Sequence, residues 1–204
     1  MITSPRYAEA LGWAEQLHRH QSRQGKAVPF LSHVISVSAL VWEDGGDEDQ
    51  AIAGLLHDSI EDAGQTRASI RERFGGAVAD IVRDCTDPGK VPGGDGVLDP
   101  WILRKQRFIG TLQQLPEASL LDAGQDPEGW NRFVSGFDGS AWYFWSLHDQ
   151  LHVLLPSSRS VKLLGESVRA ILASPQLLAS LPPGQDPEDW VGTYLDRPDT
   201  HPVD

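Results

Sequence analysis

The densest chemistry in the chain lies at His57-Asp58-Ser59-Ile60-Glu61-Asp62, where ionisable groups close an apolar run, Ala51-Ile52-Ala53-Gly54-Leu55-Leu56. Read as one continuous helix from Ala51 to Asp62, residues four apart share a face, so His57 stands above Glu61 and Asp58 above Asp62. Each row then carries a metal-ligand type one turn before a carboxylate. An imidazole beside a carboxylate suits a divalent cation of hard or borderline character. The second carboxylate pair is placed to hold or deprotonate a water. A lone His-Asp at a helix end more often serves as a cap or a surface ion pair. Here the apolar approach and the added Glu61-Asp62 argue for a site, as does His33, 24 residues upstream of His57. A helix and a turn of that length bring the chain back antiparallel, which would set the two imidazoles side by side.

The elements that must position these groups read as helices. Tyr7 to His20 carries one apolar stripe through Tyr7, Ala10, Leu11, Ala14 and Leu17. A second helix spans Ser32 to Trp42 and stops at Glu43-Asp44-Gly45-Gly46. Asp47 with Gln50 forms a capping-box pattern before the His-Asp helix. Thr66 caps a short helix through Phe74, and Ala77 to Thr86 buries Val78, Ile81 and Val82. Further helices run from Trp101 to about Gln114, from Ala141 to Leu155 and from Ser160 to Ala173. No run alternates as a strand would, so the expected class is all-α.

The expected domain covers residues 1–175, interrupted by a glycine- and proline-rich loop at 87–100. An acidic, proline-rich tail follows at 176–204, of which Pro182 to Asp204 is expected to be loosely held. Gly124-Gln125-Asp126-Pro127-Glu128-Gly129-Trp130 returns as Gly184-Gln185-Asp186-Pro187-Glu188-Asp189-Trp190. Each copy has the form of a helix start, and the repeat is assigned no function.

Composition narrows the function classes. The 204 residues carry a formal net charge of −12, a field that repels phosphate backbones, so nucleic acid is not expected as a partner. A phosphate-bearing small molecule would need a local basic patch, and Arg104-Lys105-Gln106-Arg107 is one, though a solvated helix face explains it equally well. The single cysteine, Cys85, allows no internal disulfide, which fits a reducing, cytoplasmic setting. No apolar run approaches the roughly 20 residues that span a bilayer, and Met1 to Arg6 holds no signal core.

Four motifs together resemble a known family. Gln21-Ser22-Arg23-Gln24-Gly25-Lys26, Pro29-Phe30-Leu31-Ser32-His33, Gly54-Leu55-Leu56-His57-Asp58-Ser59-Ile60-Glu61-Asp62 and Phe74-Gly75 are similar to the hydrolase domain of RelA/SpoT-type alarmone enzymes. These enzymes form a branch of the HD superfamily, and their small stand-alone relatives match best. The resemblance runs from Tyr7 to Asp87, resumes over Trp101 to Phe108, and again from Trp130 to Leu155. It implies an HD-domain helical bundle of five N-terminal helices around His57-Asp58. It also implies a pyrophosphohydrolase of the stringent response, removing the 3′-pyrophosphate of guanosine tetra- or pentaphosphate with a divalent ion, Mn2+. Carried over by position, His33, His57 and Asp58 are metal ligands, Glu61 and Asp62 the catalytic pair, and Arg23 and Lys26 line the nucleotide pocket.

One departure sets the limits of that expectation. The family draws a fourth ligand from an Ala-Asp-Lys-x-x-Asn helix, and no aspartate here is followed by lysine. Leu115 to Leu121 runs directly into Asp122-Ala123-Gly124, as if that helix were excised between 121 and 122. Asp122 is the available stand-in. The alternative function is a degenerate, non-catalytic nucleotide-binding or remnant HD domain.

Overall fold

In a computed structural model, residues 3–23, 27–86, 101–114 and 136–197 are described. Their regular structure is helical, apart from an isolated antiparallel bridge between Ser22 and Pro29. They fall into two compact units. Lys26, Asp122, the loop at 87–100, the junction at 121–122 and the first copy of the heptad lie outside the described residues.

Among the described residues, the first unit contains six helices: α1 (Pro5–His18), α2 (Leu31–Glu43), α3 (Glu48–Leu56), α4 (Ser59–Ala63), α5 (Arg67–Phe74) and α6 (Gly76–Cys85). Their starts follow local chemistry. The Ser4 hydroxyl accepts from the Arg6 N–H at 3.2 Å, and Pro5 opens α1 where no N–H is needed. The capping box of Asp47 and Gln50 is present with both hydrogen bonds, at 2.8 and 2.9 Å. Thr66 caps α5 in the same manner with Ser69.

The turn between α2 and α3 sets the geometry of everything above it. Gly45 has φ +87°, the left-handed conformation that closes many helices. Its N–H donates to the Trp42 carbonyl at 3.1 Å, and the Gly46 N–H donates to Val41 at 2.9 Å, a Schellman closure. The two helices then run back antiparallel. His33, at the start of α2, therefore comes level with the end of α3, as the sequence spacing predicts. Buried Val34, Ile52, Leu55, Leu56, Ile70 and Val82 belong to the core beneath them. Each such side chain contributes about 1.5–3 kcal/mol when removed from water.

The continuous helix expected from Ala51 to Asp62 does not form. α3 ends at Leu56, His57 and Asp58 make a turn, and α4 restarts at Ser59. Asp58 sits at φ −89°, ψ 0°, off the helical track. The His57 imidazole replaces a backbone donor there, since its Nδ1 lies 2.9 Å from the Gly54 carbonyl, one of the end carbonyls a helix leaves open. The two-row arrangement of an unbroken helix is thereby replaced. Adjacent residues lie about 100° apart around a helix and would diverge; the break lets His57 and Asp58 face the same point.

The second unit contains α7 (Trp101–Thr111) with a 3₁₀ turn at Leu112–Gln114, then α8 (Gly136–Leu154), α9 (Arg159–Leu172), α10 (Pro175–Ser180) and α11 (Pro187–Gly192). Residues 176–197 are packed, contrary to the loose hold expected from composition over Pro182 to Asp204, of which 198–204 lie outside the described residues. Leu177, Val191 and Tyr194 are buried, and Tyr194 stacks on Trp142 with centroids 5.9 Å apart. The Trp145 indole N–H donates to Glu188 at 3.1 Å, and the Arg197 guanidinium lies 3.4 Å from the Trp190 ring centre. Asp186 caps α11 by accepting from Glu188 and Asp189, so the second heptad copy does start a helix. Its prolines and acids occupy the exposed start while its aromatic residues anchor the segment.

Candidate metal centre

Three side chains from the two ends of the α2–α3 hairpin converge. One ligand atom each from His33, His57 and Asp58 lies within 4.8 Å of the others, the single such group of three found among the described residues. Asp58 Oδ2 is 2.9 Å from His57 Nε2 and 3.4 Å from His33 Nε2. The rings of His33 and His57 meet edge to face with centroids 5.0 Å apart.

The donor set fits a cation. A carbonyl oxygen only accepts, so the bond to Gly54 requires a hydrogen on His57 Nδ1. In the neutral imidazole, His57 Nε2 then carries a lone pair, and it faces a carboxylate oxygen 2.9 Å away. Two acceptors at that distance need a positive charge between them, either a proton on the ring or a metal ion. Fixing the tautomer through the far ring nitrogen is the usual support for a metal-binding histidine. Burial would raise the pKa of Asp58, but the His57 and His33 imidazoles outweigh it and hold the carboxyl well below the usual carboxylate range. Asp58 therefore offers an anionic oxygen to a cation across the ordinary pH range.

The remaining expected residues separate. Glu61 is half-buried and Asp62 exposed, both on α4 directly after the Asp58 turn. Arg23 is buried, and its N–H donates to the Val28 carbonyl at 2.8 Å. Lys26 falls outside the described residues. Arg104, Lys105 and Arg107 lie on α7 in the other compact unit, where Lys105 Nζ sits 5.1 Å from the Tyr143 ring centre.

Two residues were given no role by the sequence reading. Gln21 donates from Nε2 to Asp62 Oδ2 at 3.0 Å, and its Oε1 lies 2.7 Å from His18 Nδ1. His18 is buried, at 2% exposure, with its ring 4.8 Å from Phe30, which in turn meets His33 edge-on at 5.4 Å. The signal was present in the stretch Gln21-Ser22-Arg23, but nothing local links that glutamine to a carboxylate 41 positions away.

The chain matches the family described as HD domain over residues 10–112, just over half its length. It belongs to the HD-domain family. A stretch of this chain is homologous to proteins named guanosine-3′,5′-bis(diphosphate) 3′-pyrophosphohydrolase. The one from Aquifex aeolicus is 37% identical over 91 residues, covering 43% of this chain and 13% of that protein. The MESH1 protein of Xenopus tropicalis is 34% identical over 87 residues, 41% of this chain and 49% of that protein. A protein named GTP pyrophosphokinase from Streptomyces coelicolor is 35% identical over 82 residues, 40% of this chain and 10% of that protein. The matched segment thus spans about half the length of the small relative and far less of the large ones. Among solved structures, a metazoan SpoT ortholog shares the fold at a TM-score of 0.64 and 24% identity, over 83% of this chain and 97% of that one. A Listeria monocytogenes protein follows at a TM-score of 0.58 and 26% identity, over 70% and 95%.

Proposed function

We propose that this HD domain is a metal-dependent phosphohydrolase that removes the 3′-pyrophosphate of guanosine tetra- or pentaphosphate or a related nucleotide. The observation that carries the reading is the convergence of His33, His57 and Asp58 on one point, with Glu61 and Asp62 on the next turn of chain. The similarity to named pyrophosphohydrolases, over 43% and 41% of the chain, supports the substrate class.

In this reading His33, His57 and Asp58 hold a divalent cation, Mn2+ by the family resemblance, which supplies positive charge for the phosphoryl oxygens. Glu61 and Asp62 hold a water and take its proton as its oxygen bonds to phosphorus. The bond from that phosphorus to the nucleoside 3′-oxygen breaks, its electron pair stays on the 3′-oxygen, which takes up a proton, and pyrophosphate departs carrying the oxygen of the water. General acid–base action of this kind contributes about 10²–10⁴-fold. Arg23 and Lys26 provide the local positive charge that a polyphosphate needs against a net charge of −12.

A second reading, a nucleotide binder with impaired chemistry, is favoured by one feature: no aspartate in the chain precedes a lysine, so the family's fourth ligand motif is missing. Metal analysis of the purified protein, followed by a guanosine tetraphosphate hydrolysis assay with added manganese, separates the two. Pyrophosphate release that depends on manganese and disappears in His57→Ala supports the hydrolase. Nucleotide binding without turnover under those conditions supports the binder.

A further inference from the structure

We propose that His18 and Gln21 are positioning residues that orient the Asp62 carboxylate, an inference that rests, for its catalytic purpose, on the hydrolase reading above. The argument begins with what each atom can do. An ionised carboxylate only accepts hydrogen bonds, so the group 3.0 Å from Asp62 Oδ2 must be the Gln21 amide nitrogen. That orientation turns Gln21 Oε1 toward His18 Nδ1 at 2.7 Å. An amide oxygen also only accepts, so Nδ1 must carry the hydrogen. The three groups form a one-way chain of donors, from imidazole to amide to carboxylate. Reversing the amide would set its oxygen against the carboxylate and its NH2 against an N–H, so the chain has one stable sense.

Its surroundings make it rigid. His18 ends α1, is buried at 2% exposure and lies against the Phe30 ring. Gln21 is held at its backbone, because its carbonyl accepts from the Phe30 N–H at 2.9 Å and its N–H donates to the His18 carbonyl at 3.0 Å. The short antiparallel contact of Ser22 with Pro29 closes the same loop. Among the described residues, His18 Nε2 is buried with no hydrogen-bond partner. Leaving a buried acceptor unmade is costly, and no described residue offers that nitrogen a partner. The imidazole is thus present for its Nδ1–H, and that hydrogen serves Gln21 alone. Asp62 itself is exposed on a five-residue helix, where a carboxylate would otherwise turn freely. Anchoring Oδ2 leaves Oδ1 for the water that the hydrolase reading assigns to Asp62 and Glu61.

The test has two arms. Long-range proton–nitrogen NMR on the full chain reads the His18 tautomer without any substrate. The Nδ1–H form is expected, and Gln21→Met should disturb it; an Nε2–H form in the wild type overturns the proposal. In the kinetic arm, His18→Phe keeps the ring packing on Phe30 but has no donor, while His18→Asn keeps a donor near the Nδ1 position. His18→Phe and Gln21→Met should each lower kcat by about 3- to 10-fold, with KM changed by less than about twofold. His18→Asn should recover most of the loss, although it packs less well than Phe. Equal losses in His18→Phe and His18→Asn, or kcat unchanged in His18→Phe and Gln21→Met, overturn the proposal. A wild-type chain that shows the Nδ1–H tautomer yet turns over no guanosine tetraphosphate overturns the hydrolase reading and the catalytic purpose, while the hydrogen-bond chain stands.

Discussion

Asp58 faces two imidazoles that the α2–α3 hairpin brings together, and its carboxyl stays ionised despite burial because those rings stabilise the anion. Asp62 is exposed, whereas Glu61 is half-buried like Asp58. Changing Glu61 to Gln or Asp62 to Asn removes one charge from a partly or fully exposed site and should leave the thermal midpoint nearly unchanged. Each change should lower kcat for guanosine tetraphosphate by about 10²–10⁴-fold, read by pyrophosphate release. Retained turnover in both variants would show that the water is activated elsewhere. His33→Ala or Asp58→Ala acts one step earlier. Titration calorimetry with manganese should show binding in Glu61→Gln and none in either ligand variant.

Two elements carry their own tests. The α2–α3 turn holds His33 level with His57, and Gly46 permits it. A Cβ at that position would stand 2.6 Å from Val41 Cγ1 and 2.9 Å from the Val41 carbonyl oxygen, which is backbone and cannot swing away. Gly46→Ala should destabilise the protein by about 1–3 kcal/mol in urea unfolding, the usual cost of overpacking. It should also weaken manganese binding, because the hairpin sets the distance between the imidazoles.

In the second unit, His148 on α8 packs where a Cβ on Gly165 of α9 would meet its Nε2 at 2.5 Å. Burial lowers its pKa, with His152 and Arg169 adding to the effect and Asp149 and Glu188 opposing it less strongly. The unfolded chain therefore takes up a proton near pH ~6.5 that the folded chain refuses. This contribution to stability is present above that pH and is lost as pH falls below it, toward the lower folded value. Thermal unfolding should show a falling midpoint from pH 7.5 to pH 5.5, and His148→Gln should flatten that slope. An unaltered slope would assign the acid sensitivity to other groups.

At the scale of the whole molecule, the open question is the fourth ligand. His33, His57 and Asp58 would supply one formal negative charge to a divalent ion, and weaker electrostatic attraction means weaker binding. Manganese should be removed by mild chelation and restored by dialysis, with activity following the metal content. Grafting an Ala-Asp-Lys-x-x-Asn helix between Leu121 and Asp122 should raise both affinity and turnover. A tightly held ion with rapid turnover in the unaltered chain would mean that another group, such as Asp122, completes the site.

The sequence by itself determined the helical class and most helix limits, because caps and apolar periods act over three or four residues. Asp47 with Gln50, Thr66 before α5 and the Gly45-Gly46 stop were all legible for that reason. It also indicated that His33 and His57 could meet, since an antiparallel return is fixed by helix length. Three things came only from the tertiary structure. The break at His57-Asp58 depends on an imidazole bonding the Gly54 carbonyl and on two ligands sharing one point, and the apolar pattern before it continues without a stop signal. The packing of Val191 and Tyr194 overrides a composition that reads as solvated, because a few buried aromatic contacts outweigh many exposed prolines and acids. The chain from His18 through Gln21 to Asp62 joins residues from α1, a loop and α4. Hydrogen bonds between such distant positions leave no period or spacing in the sequence, so only folding brings their donors and acceptors into line.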